Sequence, residues 1–392
     1  MRLVLLILLL AGVAARAGTL LVLTEPTARG YCGPVLDEWA REVNREGLFS
    51  VVIRELPRWT GSWATNDWPG LNRMSNEVVR FQPSAVLIVG RLPRLKTGGH
   101  ALDGHEMRCI ITDAWLGCTN ITFTDTDSWG MPGTVAGVSS AIGSNEPGDG
   151  IPDETSGTYA RAVSRIDASG MTSAAGNFGS GYLIGQPYRP AIDEGEWLRR
   201  YFTNNIALRR GQWTTDNTGH INSSSWFNSA DISAANTAVS WTSGSASGPA
   251  GGSYRFVYDS LELQDFSPNW ITAGGTPLRA LWTVNYKSYQ MELPDGVGAY
   301  QRRLFPGVID QPWAMVSGWC VGAFGADPYW VQASADATVA DSIRTSAKTY
   351  SGGTEPPTCQ WGFPIAGDLS LPVDSFTAGS TKVSVATSFT VQ

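Results

Sequence analysis

Three apolar runs, spaced by two amphipathic stretches, constrain the first hundred residues more than any other feature of this chain. TLLVLTEP (19–26) reads as a buried strand. VLDEWAREVNREGL (35–48) places Val35, Leu36, Trp39, Ala40 and Val43 on one face of a helix. SVVIREL (50–56), LNRMSNEVVRF (71–81) and SAVLIVG (84–90) continue as strand, helix and strand. Strand–helix alternation predicts a parallel sheet with right-handed crossovers. Strands this apolar are covered on both faces. The expected fold class is therefore α/β: a doubly wound, mostly parallel sheet.

Further along, YARAVSRID (159–167), LRALWTV (278–284), PWAMVSGW (312–319) and GFPIAGDLSL (362–371) read as strands. EGEWLRRYFTNNIALRR (194–210) and ATVADSIRTSA (337–347) read as helices. The Gly/Asp/Thr/Pro-rich stretch at about 91–158 and the Ser/Gly/Trp-rich stretch at about 211–277 read as long insertions in one domain spanning 18–375, with 376–392 as a tail or edge strand. The first insertion leaves the C-terminal edge of the third strand, where open α/β sheets place ligands.

MRLVLLILLLAGVAARAG has a positive start, a short apolar core and a small-x-small Ala15-Arg16-Ala17. Residues 1–17 thus read as a secretory signal, with a retained anchor as the alternative. The mature chain is then expected to be secreted, periplasmic or at the cell surface, with no transmembrane segment. Losing Arg2 and Arg16 moves the net charge from −7 to −9. That charge argues against nucleic acid or anionic lipid as partner. Five cysteines, Cys32, Cys109, Cys118, Cys320 and Cys359, allow at most two disulfides, and Cys109 and Cys118 are close enough to close a small loop. No CxxC or CxxH spacing suggests zinc.

The ordered words SAVLIVGRLPRL (84–95), HALDGHEMR (100–108), TDAWLG (112–117), NEPGDGIPDE (145–154), ARAVSRIDASGM (160–171), EGEWLRRYFTNN (194–205) and IAGDLSLPV (365–373) resemble the gingipain-type cysteine peptidases. The resemblance is closer still to uncharacterised secreted bacterial relatives of that family. It implies a caspase-like α/β fold, here without the immunoglobulin-like domain that follows in true gingipains. It also implies where the chemistry should sit: a histidine in a Gly-His-Gly turn after one strand, and a cysteine ending the next. A cysteine peptidase needs a thiolate and an imidazole to activate it. The histidine turn is expected at SWTSGSASGPAGGS (240–253) and the cysteine strand at LRALWTVNYKSYQ (278–290), where Asn285-Tyr286-Lys287 stand instead. The three histidines are His100, His105 and His220, so none follows residue 220.

Two functions are carried forward. One is a catalytically inactive secreted relative that binds a protein, peptide or glycan, or associates with the envelope. The other is a cysteine endopeptidase pairing Cys320 with His220; against it, Cys320 is a buried structural thiol and His220 a surface residue. Trp59, Trp63 and Trp68 form an aromatic loop that either stacks on a ligand or caps the core. Asp103 and His105 form an acid–base pair, a metal half-site or an ordinary hydrogen-bonding loop. No convincing G-x-S-x-G nucleophile turn is present.

NEPGDGIPDE also has the alternation of oxygen donors that Ca²⁺ requires. Asn145, Asp149 and Asp153 would ligate through side chains and Ile151 through its carbonyl. Asp125 and Asp127 would join if their loop folds back, and an acidic turn without an ion is the alternative. On the calcium reading, calorimetric Ca²⁺ titration gives heat and the melting temperature rises with calcium. A silent titration with an unmoved melting temperature contradicts it.

Overall fold

A computed structural model describes residues 18–61, 66–97, 110–125, 147–152, 154–167, 194–212, 216–222, 239–244, 253–259, 279–286, 314–318, 338–341, 343–344 and 365–371. The first strand, β1 (Gly18–Thr24), runs into helix α1 (Pro26–Glu46), then β2 (Phe49–Glu55), α2 (Trp68–Phe81) and β3 (Ala85–Val89). β4 (Leu95–Thr97) pairs antiparallel with β5 (Ile110–Thr112). A short 3-10 turn (Ala114–Gly117) leads to β6 (Cys118–Thr124), which pairs antiparallel with β7 (Glu154–Tyr159). β8 (Ala162–Ile166), α3 (Glu194–Arg209), β9 (Thr218–Asn222), β10 (Ser240–Gly244), β11 (Ser253–Asp259), β12 (Arg279–Tyr286), β13 (Ala314–Gly318) and β14 (Ile365–Gly367) follow.

Ten strands form one sheet in the order β10-β9-β11-β12-β13-β14-β8-β3-β1-β2. Every neighbouring pair is parallel except β13–β14. That single antiparallel step divides the sheet into two halves that run in opposite directions. Each half is wound alike: β1 has its successor β2 on one side and β3 on the other, and β9 has β10 and β11. The C-terminal edges of the two halves therefore lie on opposite edges of the sheet. The expected doubly wound α/β class is the observed one.

The first half is the better covered. β1 and β3 are buried almost throughout, as their uninterrupted apolar runs predict. α1 and α3 lie against each other, with Trp39 and Phe202 rings 5.4 Å apart. α2 buries Leu71, Met74 and Val78 and contacts β1 and the 3-10 turn.

Helix α1 begins nine residues before its expected start. Glu25 caps it, accepting from Thr27 N at 2.7 Å and Ala28 N at 3.1 Å, and Pro26 takes the first helical position. Gly30, Gly33 and Pro34 disguise the segment as a loop. Pro34 has no N–H to give the Gly30 carbonyl, and Gly30 is exposed, so that carbonyl need not stay unsatisfied. The expected strand 159–167 is two strands, because Ala160 N and Arg161 N both turn to donate to Gly117 O. Within 211–277, the described residues form β9, β10 and β11, which join the sheet. β9 (TGHIN) contains one large aliphatic residue, so alternation does not reveal it. Among the described residues no helix is long and apolar enough to cross a membrane.

The halves meet at β14, a strand of three residues held by β13 on one side and β8 on the other. Asp368, directly after it, is fully buried. Its carboxylate accepts from Trp39 Nε1 at 2.9 Å, Asn205 Nδ2 at 2.9 Å, Ser370 N at 2.8 Å and Ser370 Oγ at 2.6 Å, and from Arg209. Burial alone would raise this carboxyl; Arg209 and the Ser370 donors outweigh it and hold it below the ordinary range. Asp368→Ala removes the fully buried carboxylate that pairs with the buried Arg209 guanidinium, and a loss of about 3–5 kcal/mol is expected in chemical denaturation. A loss under about 1 kcal/mol contradicts this role.

Candidate functional site

The first half places its C-terminal edge at the ends of β1, β3 and β8. The β1/β3 junction is the point where the winding reverses, the usual ligand crevice of an open α/β sheet. Here the crevice is closed from within. Glu25, which is fully buried, sits over the N-terminus of α1 where an anion would bind. Arg58 pairs with Glu25 and donates to Glu194 at 3.0 Å through both NH1 and NH2. One guanidinium thus ties the starts of α1 and α3 to the segment after β2. Gly90 follows β3 with φ +93°, and a Cβ there would lie 2.7 Å from Glu25 Oε1 and Ala28 Cβ, so glycine is required at this turn.

A second ion group lies beside it. Arg165 of β8 donates to Asp113 through Nε and NH2, both at 2.7 Å, and to the carbonyls of Leu92 and Pro93. Arg94 lies 3.4 Å from the same carboxylate. Burial and the neighbouring Arg165 pull the Arg94 guanidinium down to about 10. TDAWLG and the strand ARAVSRI, two of the words that carry the resemblance, are therefore joined by a structural pair.

A cleft of about 290 Å³ opens at this edge, lined by the segment after β2 (Leu56 to Gly61), the start of α2 and Leu92–Pro93. The aromatic loop borders it, but not as an exposed stacking face. Trp59 is buried, with the Arg91 guanidinium 5.1 Å over its ring. Trp68 packs edge-on against Phe123 and donates Nε1 to Gly150 O at 3.1 Å. Trp59 and Trp68 thus cap structure; Trp63 lies outside the described residues.

The acidic loop is tied down by the same region. Asp125 does fold back onto it, and its two oxygens accept from Gly148 N and Gly150 N. Asp149 is exposed and accepts from Ile151 N at 2.7 Å. Ile151 is buried. Asn145, Asp153, Asp127, Asp103 and His105 lie outside the described residues.

The other half carries the positions where peptidase chemistry is expected. β11 precedes β12 and lies beside it, and the ends of the two strands pair Asp259 with Asn285. Asn285 in turn pairs with Ser317 of β13. The segment 240–253 instead contains β10, the outermost strand, so the strand adjoining β12 is β11 and not the one expected from sequence. The strand before Cys320 lies one step beyond β12, as the sequence register indicates. Cys320 itself lies outside the described residues.

His220 is not a surface residue. It occupies the middle of β9 and is only 5% exposed. It pairs across the sheet with Val257, which pairs with Thr283, which pairs with Met315. Met315 is three strands away, about 14 Å at ordinary strand spacing. Its Nδ1 lies 3.2 Å from Thr242 Oγ1, and burial pushes the imidazole below its usual value.

Two cysteines are resolved, and neither is bridged. Cys32 and Cys118 are free, buried thiols, so the small Cys109–Cys118 loop closure is not made. Burial pushes both up to about 12, which leaves them protonated and unreactive. Cys109 and Cys359 lie outside the described residues.

No family model matches the chain, and no curated protein matches it. A solved structure described as "Structure of Protease" is similar over 92% of this chain and 79% of its own, at 11% identity and a TM-score of 0.50. At that identity the likeness concerns the fold alone. The fold is protease-like.

Glu25, Arg58 and Glu194 were not singled out by sequence reasoning, although a strand followed by Glu-Pro is a helix-start signal. Burial raises the Glu194 carboxyl, and its Arg58 contacts offset this only in part. A carboxyl raised in the fold stabilises below its unfolded value, and that contribution is lost as pH rises through the folded value. Stability of Glu194→Gln should therefore fall less than that of the native chain as pH is raised from about 4.5, measured by urea denaturation. Parallel pH profiles contradict the assignment.

Proposed function

We propose that this chain is a secreted, catalytically inactive protein on a protease-like fold, serving as a binding or envelope-associated protein outside the cytoplasm. One observation carries the reading. The adjoining ends of β11 and β12, where a peptidase of this kind needs imidazole and thiol, pair Asp259 with Asn285. No histidine follows residue 220 to supply the missing base. The ligand class is protein, peptide or glycan, and weak calcium binding by the 145–153 loop belongs to the same proposal.

The second reading, a cysteine endopeptidase using Cys320 and His220, is favoured by one fact of sequence: β13 ends at Gly318, two residues before Cys320. Against it stands the seat of His220 in mid-strand, level with Met315 and five residues short of Cys320. An electrophilic peptide probe for thiolates decides between them. On the first reading, the native chain and His220→Ala label alike and weakly. Strong labelling at Cys320 that is lost in His220→Ala overturns it.

A further inference from the structure

Two contacts at Thr242 favour one tautomer of His220. The Thr242 hydroxyl donates to Gly219 O at 3.2 Å, so its oxygen is left to accept from His220 Nδ1–H, also at 3.2 Å. Nε2 is then the bare ring nitrogen. It is buried and has no hydrogen-bond partner among the described residues. A proton arriving there would be a buried charge with nothing to receive its N–H.

The surroundings supply no compensation among the described residues. β10 contributes no titratable side chain. β11 contributes Tyr254, whose ring lies 6.2 Å from the imidazole and whose hydroxyl burial keeps neutral, and Arg255, a like charge that donates to Asn217. Of the carboxyl-bearing residues nearby in sequence, Asp216 is exposed two residues before β9, and Asp259 holds the register position two beyond Val257, the partner of His220. The strand that His220 contacts is an edge strand. Among the described strands β10 ends the sheet and pairs with β9, and it covers Gly219 with the Trp241 ring.

We propose that His220 is an acid-operated latch on the β9–β10 edge: protonation at Nε2 unseats β10 and bares the edge of β9 while the rest of the sheet stays formed. The sign follows from linkage. A histidine whose folded value is depressed binds its proton more readily in the open state, so closure is fully stable above the ordinary histidine value and weakens as pH falls below it. The device is independent of whether the fold retains peptidase chemistry.

Amide hydrogen exchange on the full chain, corrected for its intrinsic pH dependence, reads the latch directly. Between about pH 7.5 and about pH 5, protection at 218–222 and 240–244 should drop by about tenfold per unit of depression, while β1 and β3 keep theirs. His220→Asn retains a donor near Nδ1 and cannot titrate, so its protection at these strands should stay level. Equal loss in the variant, no loss in the native chain, or simultaneous loss in β1 and β3 overturns the proposal. Should the variant fail to fold, NMR titration of the native chain decides: one of the three imidazoles must titrate below the other two, and three ordinary titrations overturn the proposal.

Discussion

One buried carboxylate ties the strand at which the two halves of the sheet meet to the helices of the first half. Asp368 follows directly on β14, the strand of the first half that pairs with β13 of the second, and collects donors from α1, α3 and its own turn. A charge with no exposure is tolerable only when its lone pairs are filled, and Asp368 meets that condition through four residues. The helices of the first half are thereby fastened to a segment more than 150 residues later in the chain. The Glu25–Arg58–Glu194 group depends on the same arrangement, because Glu194 begins the helix that Asp368 anchors through Asn205 and Arg209.

The reversal at β14 has a functional consequence. Because the halves run in opposite directions, their ligand-bearing edges face apart. The first edge is filled by the protein's own ions, with Glu25 taking the place of an anionic ligand at the start of α1. The second edge carries the strand ends where a thiol and an imidazole would be needed, and the register there sets Asp259 beside Asn285. The proposed loss of peptidase chemistry thus turns on which residues end two strands of a protease-like fold.

The first half was largely legible in the sequence because its strands are long, apolar and separated by amphipathic helices; β1, β2, β3 and α2 fall within a few residues of their expected limits. Legibility failed where local chemistry imitates a loop. Gly30, Gly33 and Pro34 hid the first turns of α1, and the Thr/Ser/Gly-rich β9 and β10 looked irregular. The site was harder to see. Trp59 could be read as exposed or buried, and only the Arg91 guanidinium over its ring decides. Asp113, Arg165 and Asp368 sit inside words that resemble a peptidase family, yet their work is structural, which is why those words report the fold and are silent about activity.

The separation of Cys320 from His220 in a crystal structure of the whole chain tests the central claim most directly. With His220 in mid-strand and three strands removed from β13, Cys320 Sγ should lie well beyond hydrogen-bonding reach of either ring nitrogen. Sγ within about 4 Å of a His220 nitrogen, in a cleft open to solvent, would contradict the account.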